Sequence, residues 1–372
     1  MIKIYVLGEA KGAYRTQNII KYILDRQNDY KLLYNSFYAN NIVLRYLRSV
    51  LFGFFTALSA NIVYVTTLNV DINIIWELIW AKVLRKRIII DYYVSVYDTV
   101  VTDRKWFREK SLMSRVARLI DKFYLWVGTD IIFLNKTEQN RYSTFVGMPK
   151  DMNKFHIIPL CTEKNGEVKS KFLYENNSEI NICWWGSYLP LHGLENLFEA
   201  MKILKESGVN IHWYFFGNDS KRGKKYRDLV ETLELDNYTF RDDATFNNGV
   251  LSKFLEENCD LALGNFGDSE KSRNVLINKI LDAAAMKVNL LTCYSEAVME
   301  YFDEEKNLFM CECNGESIAT AIVKFIDSSK EDLKERIDNA YDVYEKNFSV
   351  DSFLDNFAKL LRKGKLNGKK DN

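Results

Sequence analysis

A chain of 372 residues holds material for about two domains of ordinary size. Apolar residues make up 47% and charged residues 27%, and only three prolines and seventeen glycines are present, which excludes collagen-like, linker-rich and low-complexity chains. Lys and Arg (51) nearly balance Asp and Glu (50), so the chain lacks the basic excess of a nucleic-acid binder.

The N-terminal run Ile2-Lys3-Ile4-Tyr5-Val6-Leu7 reads as a first strand and is too short and too quickly charged for a signal peptide. Helical spacing follows from Thr16 to Gln27. The stretch Ser49 to Val70 carries no charge and is long enough to span a bilayer. Its character changes midway, so a helix up to Leu58, a turn and a strand over 61–66 is the expectation. A helix over 72–84 precedes a strand over 87–92, a helix over 112–127 precedes a strand over 130–134, and another strand follows at 155–159. The polar segment from Cys161 to Ser178 breaks this rhythm and reads as an interdomain linker.

Alternation then resumes with strands over 180–185, 211–216, 237–241, 260–263 and 288–292. Helices are expected over 193–207, 223–233, 248–257, 278–286 and 296–302, then through a helical tail from Glu316 to Lys363 and a frayed basic end from Gly364. Strands alternating with helices imply α/β domains with doubly wound parallel sheets, whose ligands sit at the carboxyl ends of the strands. The six cysteines (Cys161, Cys183, Cys259, Cys293, Cys311, Cys313) lie among apolar neighbours and read as reduced thiols of a cytosolic protein. Cys311 and Cys313 are too close for a metal knuckle, and no histidine cluster accompanies them, so no metal site is expected.

Several strand ends carry small or polar residues. Trp185-Gly186-Ser187 ends one strand, Pro190-Leu191-His192-Gly193 opens the next helix, and Phe216-Gly217-Asn218 ends another. Glycine allows close backbone approach, and a helix N-terminus presents free N–H groups to an anion; a tight turn explains such junctions equally well. The richest segment runs from Gly264 to Met286, where Lys271 and Arg273 lead to a helix opening at Asn278 with Lys279 in its first turn. Cations at a helix start oppose the macrodipole and call for another reason, such as a bound diphosphate. Asp282 lies three residues on, placed to accept from ribose hydroxyls.

These segments carry a resemblance. Ile182 to Ser187 with Pro190 to Gly193, then Asn278 to Met286, then Ser295 to Phe302, are similar to the retaining GT-B glycosyltransferases of family 4. The stretch Asp91 to Thr99 resembles the acceptor domain of bacterial surface-polysaccharide members. The resemblance implies a GT-B fold, two Rossmann-like domains facing across a cleft. It would place an acceptor domain at 1–163, a nucleotide-sugar domain at 164–345, and a C-terminal helix with a basic tail at 346–372 packing back toward the first domain. It implies that Gly186, Ser187, His192, Gly193, Gly217, Asn218 and Lys271 line the donor, with Lys279 and Arg273 on the diphosphate and Asn278 at the helix opening. Asp282 would then take the ribose, matching the second acid of the E-x7-E pattern, while Asn274 stands where the first acid belongs. His192 occupies the place where many relatives carry lysine.

The implied chemistry transfers a sugar with retention from a UDP- or GDP-linked donor, with no cofactor and no metal, to a glycan or lipid-linked acceptor in capsule or O-antigen assembly. Negative charge gathering on the leaving phosphate is what oriented cations and N–H groups stabilise. Gly12, Arg15 and Thr16 in the loop after the first strand are acceptor-side candidates, and Asp98 is an acceptor-region or catalytic candidate with a helix-cap role as the plainer alternative. The first half is rich in Arg and Lys interleaved with Phe55, Trp76, Trp80 and Phe107, which suits a cytoplasmic protein docking at an anionic membrane as well as an ordinary solvated face. A GT-B nucleotide-sugar epimerase and a catalytically degenerate sugar-nucleotide-binding subunit are the alternatives.

Overall fold

The computed structural model describes residues 1–8, 14–34, 42–66, 74–150, 152–164, 179–217 and 221–367. The chain divides into two compact units, one of residues 1–160 with 353–372 and one of residues 161–352. Each holds one six-stranded sheet in which every recorded strand pair is parallel.

In the first unit the strands are β1 (Ile2–Leu7), β2 (Tyr30–Tyr34), β3 (Ile62–Val65), β4 (Arg87–Asp91), β5 (Asp130–Phe133) and β6 (Phe155–Ile157), in the order β2-β1-β3-β4-β5-β6. Val63, Val65, Ile88, Ile90, Ile131 and Phe133 alternate along the central strands and share one core. Helices α1 (Tyr14–Leu24), α2 (Ile42–Ser59), α3 (Ile75–Val83), α4 (Leu112–Val127) and α5 (Lys136–Val146) connect them. The uncharged stretch after Ser49 is thus a helix, a turn and a strand; positions 67–70 lie outside the described residues. Among the described residues no helix is long and apolar enough to cross a membrane.

The second unit contains β7 (Ile180–Trp185), β8 (Ile211–Phe216), β9 (Tyr238–Arg241), β10 (Leu261–Leu263), β11 (Asn289–Cys293) and β12 (Phe309–Cys311), in the order β12-β11-β10-β7-β8-β9. Its helices are α6 (Leu194–Glu206), α7 (Lys221–Thr232), α8 (Val250–Asn258), α9 (Glu270–Arg273), α10 (Asn278–Ala285), α11 (Glu296–Met299), α12 (Gly315–Asp327) and α13 (Lys330–Asn347). The strand order reverses between β7 and β10, which opens a crevice at their carboxyl ends. That switch point decides where a ligand can sit.

Three elements depart from the sequence reading. β2 and β12 are short strands and α5 a polar helix, none of them expected. Helix α5 is bounded by its ends rather than by an apolar stripe: the Asn135 side chain accepts from Glu138 N, and Gly147 closes it with φ 68°. The helical tail is three helices, broken at Ser328 and Phe348, and the last, α14 (Val350–Asn367), continues past the expected frayed start at Gly364. Of the expected linker, positions 165–178 lie outside the described residues.

From Phe353 onward α14 belongs to the first unit. Phe357 meets Tyr22 and Tyr64 edge-on at 6.0 and 5.8 Å. Arg87 donates to the Leu360 and Leu361 carbonyls at 2.8 and 3.0 Å while its Nε bonds Asp130 at 2.9 Å. Burial pushes the Asp130 carboxyl up, but hydrogen bonds from His156 and Arg87 outweigh it and hold it well below the usual carboxylate range. Replacing Arg87 by Ala therefore frees the end of α14. Amide exchange through 353–362 should speed up at least tenfold, at a cost of about 1–3 kcal/mol in global stability. Unchanged exchange there would show that the aromatic contacts alone hold the helix.

Candidate functional site at the switch point of the second unit

The carboxyl end of β7 is built by two tryptophans with opposite duties. Trp184 is fully buried and stacks on Tyr188 with ring centroids 5.3 Å apart. Trp185 points the other way, meeting Phe246 edge-on and donating from Nε1 to Asp282 Oδ2 at 3.4 Å. Gly186 then turns the chain with φ 139°, a conformation that side-chain-bearing residues rarely adopt. A Cβ at this position would lie 3.8 Å from Lys279 Nζ.

The loop after β7 is locked to the loop after β10. Phe266 N donates to the His192 carbonyl at 3.1 Å, Ser272 Oγ to the Leu191 carbonyl at 2.9 Å, and Asn196 Nδ2 to the Phe266 carbonyl at 2.8 Å. Gly193 has φ 58°, and a Cβ there would sit 2.3 Å from the Phe266 carbonyl group. No side chain could be accommodated without separating the loops.

Helix α10 opens into this place. Asn278 is exposed, and no side chain caps the helix at Ile277. Lys279 in the first turn is 5% exposed, its Nζ lies 4.1 Å from the Trp184 ring centre, and it has no hydrogen-bond partner. Burial lowers its pKa well below the ordinary lysine value, with the Asp282 charge opposing. His192 is also buried, its ring 5.7 Å from that of Trp184, and its pKa is lowered to about 2, by burial and then by the Lys279 charge. Burial thus favours the neutral imidazole, against a raising contact from Asn265.

Among the described residues the buried Lys279 Nζ and Trp184 Nε1 have no hydrogen-bond partner, and the His192 ring beside them interacts with the Asn265 side chain. A buried polar group without a partner costs free energy, so a pair of them at a switch point marks a place where a polar ligand makes up the loss. Positive charge, N–H donors and a helix N-terminus together suit an anion such as a diphosphate.

The structure spends several residues elsewhere. Arg273 is more than half exposed and bound to Asp268, Nε to Oδ1 at 2.9 Å, so it is not a cation held in the crevice. Asn274 ends α9 and donates its amide to the Glu270 carbonyl at 2.6 Å. Asp282, expected on the ribose, accepts from Thr162 Oγ1 at 2.7 Å and from Trp185 Nε1 at 3.4 Å within the second unit. Lys271 is half-buried and Ser187 exposed. Gly217 is a packing glycine, since a Cβ there would meet the Gly186 carbonyl oxygen at 2.7 Å. Asn218 and Gly12 lie outside the described residues.

In the first unit Arg15 is a buried clasp. Its Nε bonds Asp91 at 2.7 Å, its terminal nitrogens bond the Ile158 and Pro159 carbonyls, and its guanidinium lies over Phe353. Thr16 beside it is fully buried. Asp98 forms a buried ion pair with Arg141 at 2.7 Å and begins a π-helical turn over Asp98–Asp103. Arg15 and Asp98, expected on the acceptor side and in catalysis, are thus held in buried ion pairs with Asp91 and Arg141. Trp184, against Lys279, and Asn265, against His192, were not among the expected site residues.

Among the described residues no group of three or more His, Cys, Asp or Glu is placed to hold a metal ion. No family model matches this sequence, and no curated protein matches it either. Solved structures do match the fold. A glycosyltransferase from Rickettsia africae aligns with TM-score 0.67 at 12% identity over 97% of this chain and 98% of its own. Anabaena Alr3699/HepE, solved in complex with UDP-glucose, aligns with TM-score 0.67 at 12% identity over 98% and 100%. Sucrose-phosphate synthase from Thermosynechococcus elongatus aligns with TM-score 0.71 at 10% identity over 98% and 99%. The chain has the GT-B glycosyltransferase fold, with two Rossmann-like parallel sheets.

Asp282 supplies a pH test of this local geometry. Burial raises its pKa to about 6, against the lowering effect of Thr162, Trp185 and the Lys279 charge. A carboxyl whose folded pKa exceeds its unfolded one lends stability below about pH 4 that is lost as pH rises to about 6. Replacing Asp282 by Asn should therefore remove on the order of 2–3 kcal/mol of decline between pH 4 and pH 7, read as the difference between urea midpoints of the two proteins. Parallel curves for wild type and variant would contradict the buried, proton-retaining carboxyl.

Proposed function

We propose that the protein is a retaining glycosyltransferase that takes a sugar from a nucleoside-diphosphate donor held at the switch point of the second unit. Its acceptor is a glycan or a lipid-linked saccharide of bacterial surface-polysaccharide assembly. The observation that carries this reading is the buried Lys279 amine, with no hydrogen-bond partner among the described residues, beside Gly186 at the open start of α10. The fold is that of glycosyltransferases, and the Anabaena protein of that fold was solved with UDP-glucose.

In this reading the diphosphate lies against Gly186 and the first turn of α10, with Lys279 on a phosphate oxygen. Neutral His192 offers a hydrogen bond to sugar or phosphate. The bond from the anomeric carbon to the β-phosphate oxygen breaks, and the acceptor hydroxyl oxygen bonds that carbon on the same face. Its proton passes to the leaving phosphate, so no protein base is needed. Lys279 and the α10 dipole stabilise the charge collecting on the diphosphate, in place of a protein-held metal. Asp282 acts behind them as a positioning residue, fixing Trp185 and hence the strand end.

A binding-only subunit is the second reading, favoured by one observation. Arg273 and Asn274, expected to add charge and a sugar contact, are bonded to Asp268 and to the Glu270 carbonyl. Product formation from a radiolabelled nucleotide sugar separates the two: transfer or donor hydrolysis excludes the binding-only protein, while saturable binding without either supports it.

Thermal shift with UDP, GDP and their sugars tests the shared premise. A ligand at a hundred times its dissociation constant should stabilise the wild type by about 2.7 kcal/mol. Replacing Lys279 by Met should raise the stability of the ligand-free protein by roughly 1–3 kcal/mol, because a buried polar amine without a hydrogen-bond partner is removed, and should abolish the ligand response. Since the bound diphosphate raises a depressed lysine pKa, binding should also take up protons, seen as a calorimetric heat that depends on buffer ionisation, and affinity should fall as pH rises. An undiminished response in Lys279→Met would remove the diphosphate from this place.

A further inference from the structure

The helices α2, α3 and α4 form one layer on the first unit. Gly53 of α2 lets that helix close onto α3, where a Cβ would lie 3.3 Å from Glu77 N and from the Trp80 ring. Phe54 packs edge-on against Trp80 at 5.4 Å, and Ser49 donates to the Glu77 carboxylate. Lys82 near the end of α3 reaches the Trp126 and Val127 carbonyls of α4, and Lys86 just beyond α3 reaches the Leu58 carbonyl of α2. The same ends of the three helices are thereby tied in a row.

The inner face of α2 carries Ser49, Gly53 and Ala57, and that of α4 carries Ser114, Ala117 and Asp121 before Tyr124, Leu125 and Val127 enter the core. Their outer faces are apolar. On α2, Leu44, Leu47, Leu51, Phe55 and Leu58 recur at helical spacing and are 57, 49, 64, 64 and 53% exposed. On α4, Leu112, Val116, Leu119 and Trp126 make a second stripe, 75, 37, 65 and 56% exposed. Among the described residues of the second unit the exposed large apolar residues are Val250, Met299 and Val323, scattered singly. A soluble surface does not keep two such stripes side by side without a use.

The charge around them, among the described residues, is predominantly positive. Arg115 and Lys122 flank the α4 stripe, and neither α2 nor α4 carries an exposed acid. The segment leading into α4 exposes Arg104, Lys105, Arg108 and Lys110 around Trp106, with Arg104 stacked on its ring at 4.8 Å and Glu109 the single exposed acid. Apolar stripes edged by cations and tryptophans match an interface between acyl chains and anionic headgroups. A second copy of this chain would bring the same positive charge to the contact.

From this surface we infer that the α2–α4 layer is a monotopic membrane-docking face, in which Leu51, Phe55 and Leu119 enter the acyl boundary of an anionic bilayer and Arg115, Lys122 and the 104–110 segment rest on its headgroups. Neither α2 nor α4 spans the bilayer. The inference stands on the first unit alone and does not depend on the transferase reading.

Flotation of the full chain with vesicles of phosphatidylglycerol and phosphatidylcholine in equal parts, and with phosphatidylcholine alone, tests it. Wild type should float with the anionic vesicles and at least tenfold less with the neutral ones. The doubly substituted Leu51→Glu, Phe55→Glu protein changes only exposed side chains and should lose flotation at least tenfold while keeping its melting temperature. Charge reversal at Arg115 and Lys122 should weaken it and make what remains less dependent on salt. Three results would overturn the proposal: no flotation of wild type, flotation untouched by the Leu51 and Phe55 changes, or a lipid-free dimer by light scattering that those changes convert to monomer.

Discussion

A lysine amine held out of water, with no hydrogen-bond partner among the described residues, is the constraint around which the second unit is arranged. Lys279 reaches the face of Trp184, and the ring quadrupole returns only part of what hydration would have supplied. The folded state bears that cost because the rest of the sheet is well packed, with Trp184, Phe198, Phe215 and Phe266 fully buried around it. Stability deficits of this kind gather where a ligand completes the structure.

The framework near Lys279 leaves little freedom for the loops to collapse over it. Leu191 and His192 are bonded through their carbonyls to the segment after β10, and Gly193 fits only because it lacks a side chain. Asp282, one turn along α10 from Lys279, joins Thr162 and Trp185 and so fixes the helix against the strand end. The tyrosine at 344 donates to the Thr162 carbonyl, tying α13 into the same arrangement. Charge, helix start and glycine turn are therefore presented together by packing, without a flexible loop having to bring them into place.

Much of the architecture was legible because the central strands are continuous apolar runs bounded by turn residues. The segments 180–185 and 211–216 coincide with β7 and β8, and the helix over 112–127 with α4. What escaped lacked that signal. Helix α5 is polar along most of its length and is marked only by Asn135, Glu138 and Gly147 at its ends; β12 is three residues long. In the site, Lys279, His192 and Gly186 could be found because a cation and glycines at a strand-to-helix junction contradict ordinary helix preferences. Arg15, Asp98, Asp282 and Arg273 could not be judged, since a sequence does not reveal that Asp91, Arg141, Thr162 and Asp268 stand next to them. The outward stripe on α4 has the spacing of a core-facing helix, and only the positions of Ser114, Ala117 and Asp121 on its inner side tell the two faces apart.

A crystal grown with UDP would test the central claim most directly. The account requires density for the diphosphate at the carboxyl ends of β7 and β10, with a phosphate oxygen about 3 Å from Lys279 Nζ. Density for the nucleotide elsewhere, with Lys279 still unaccompanied against Trp184, would contradict it.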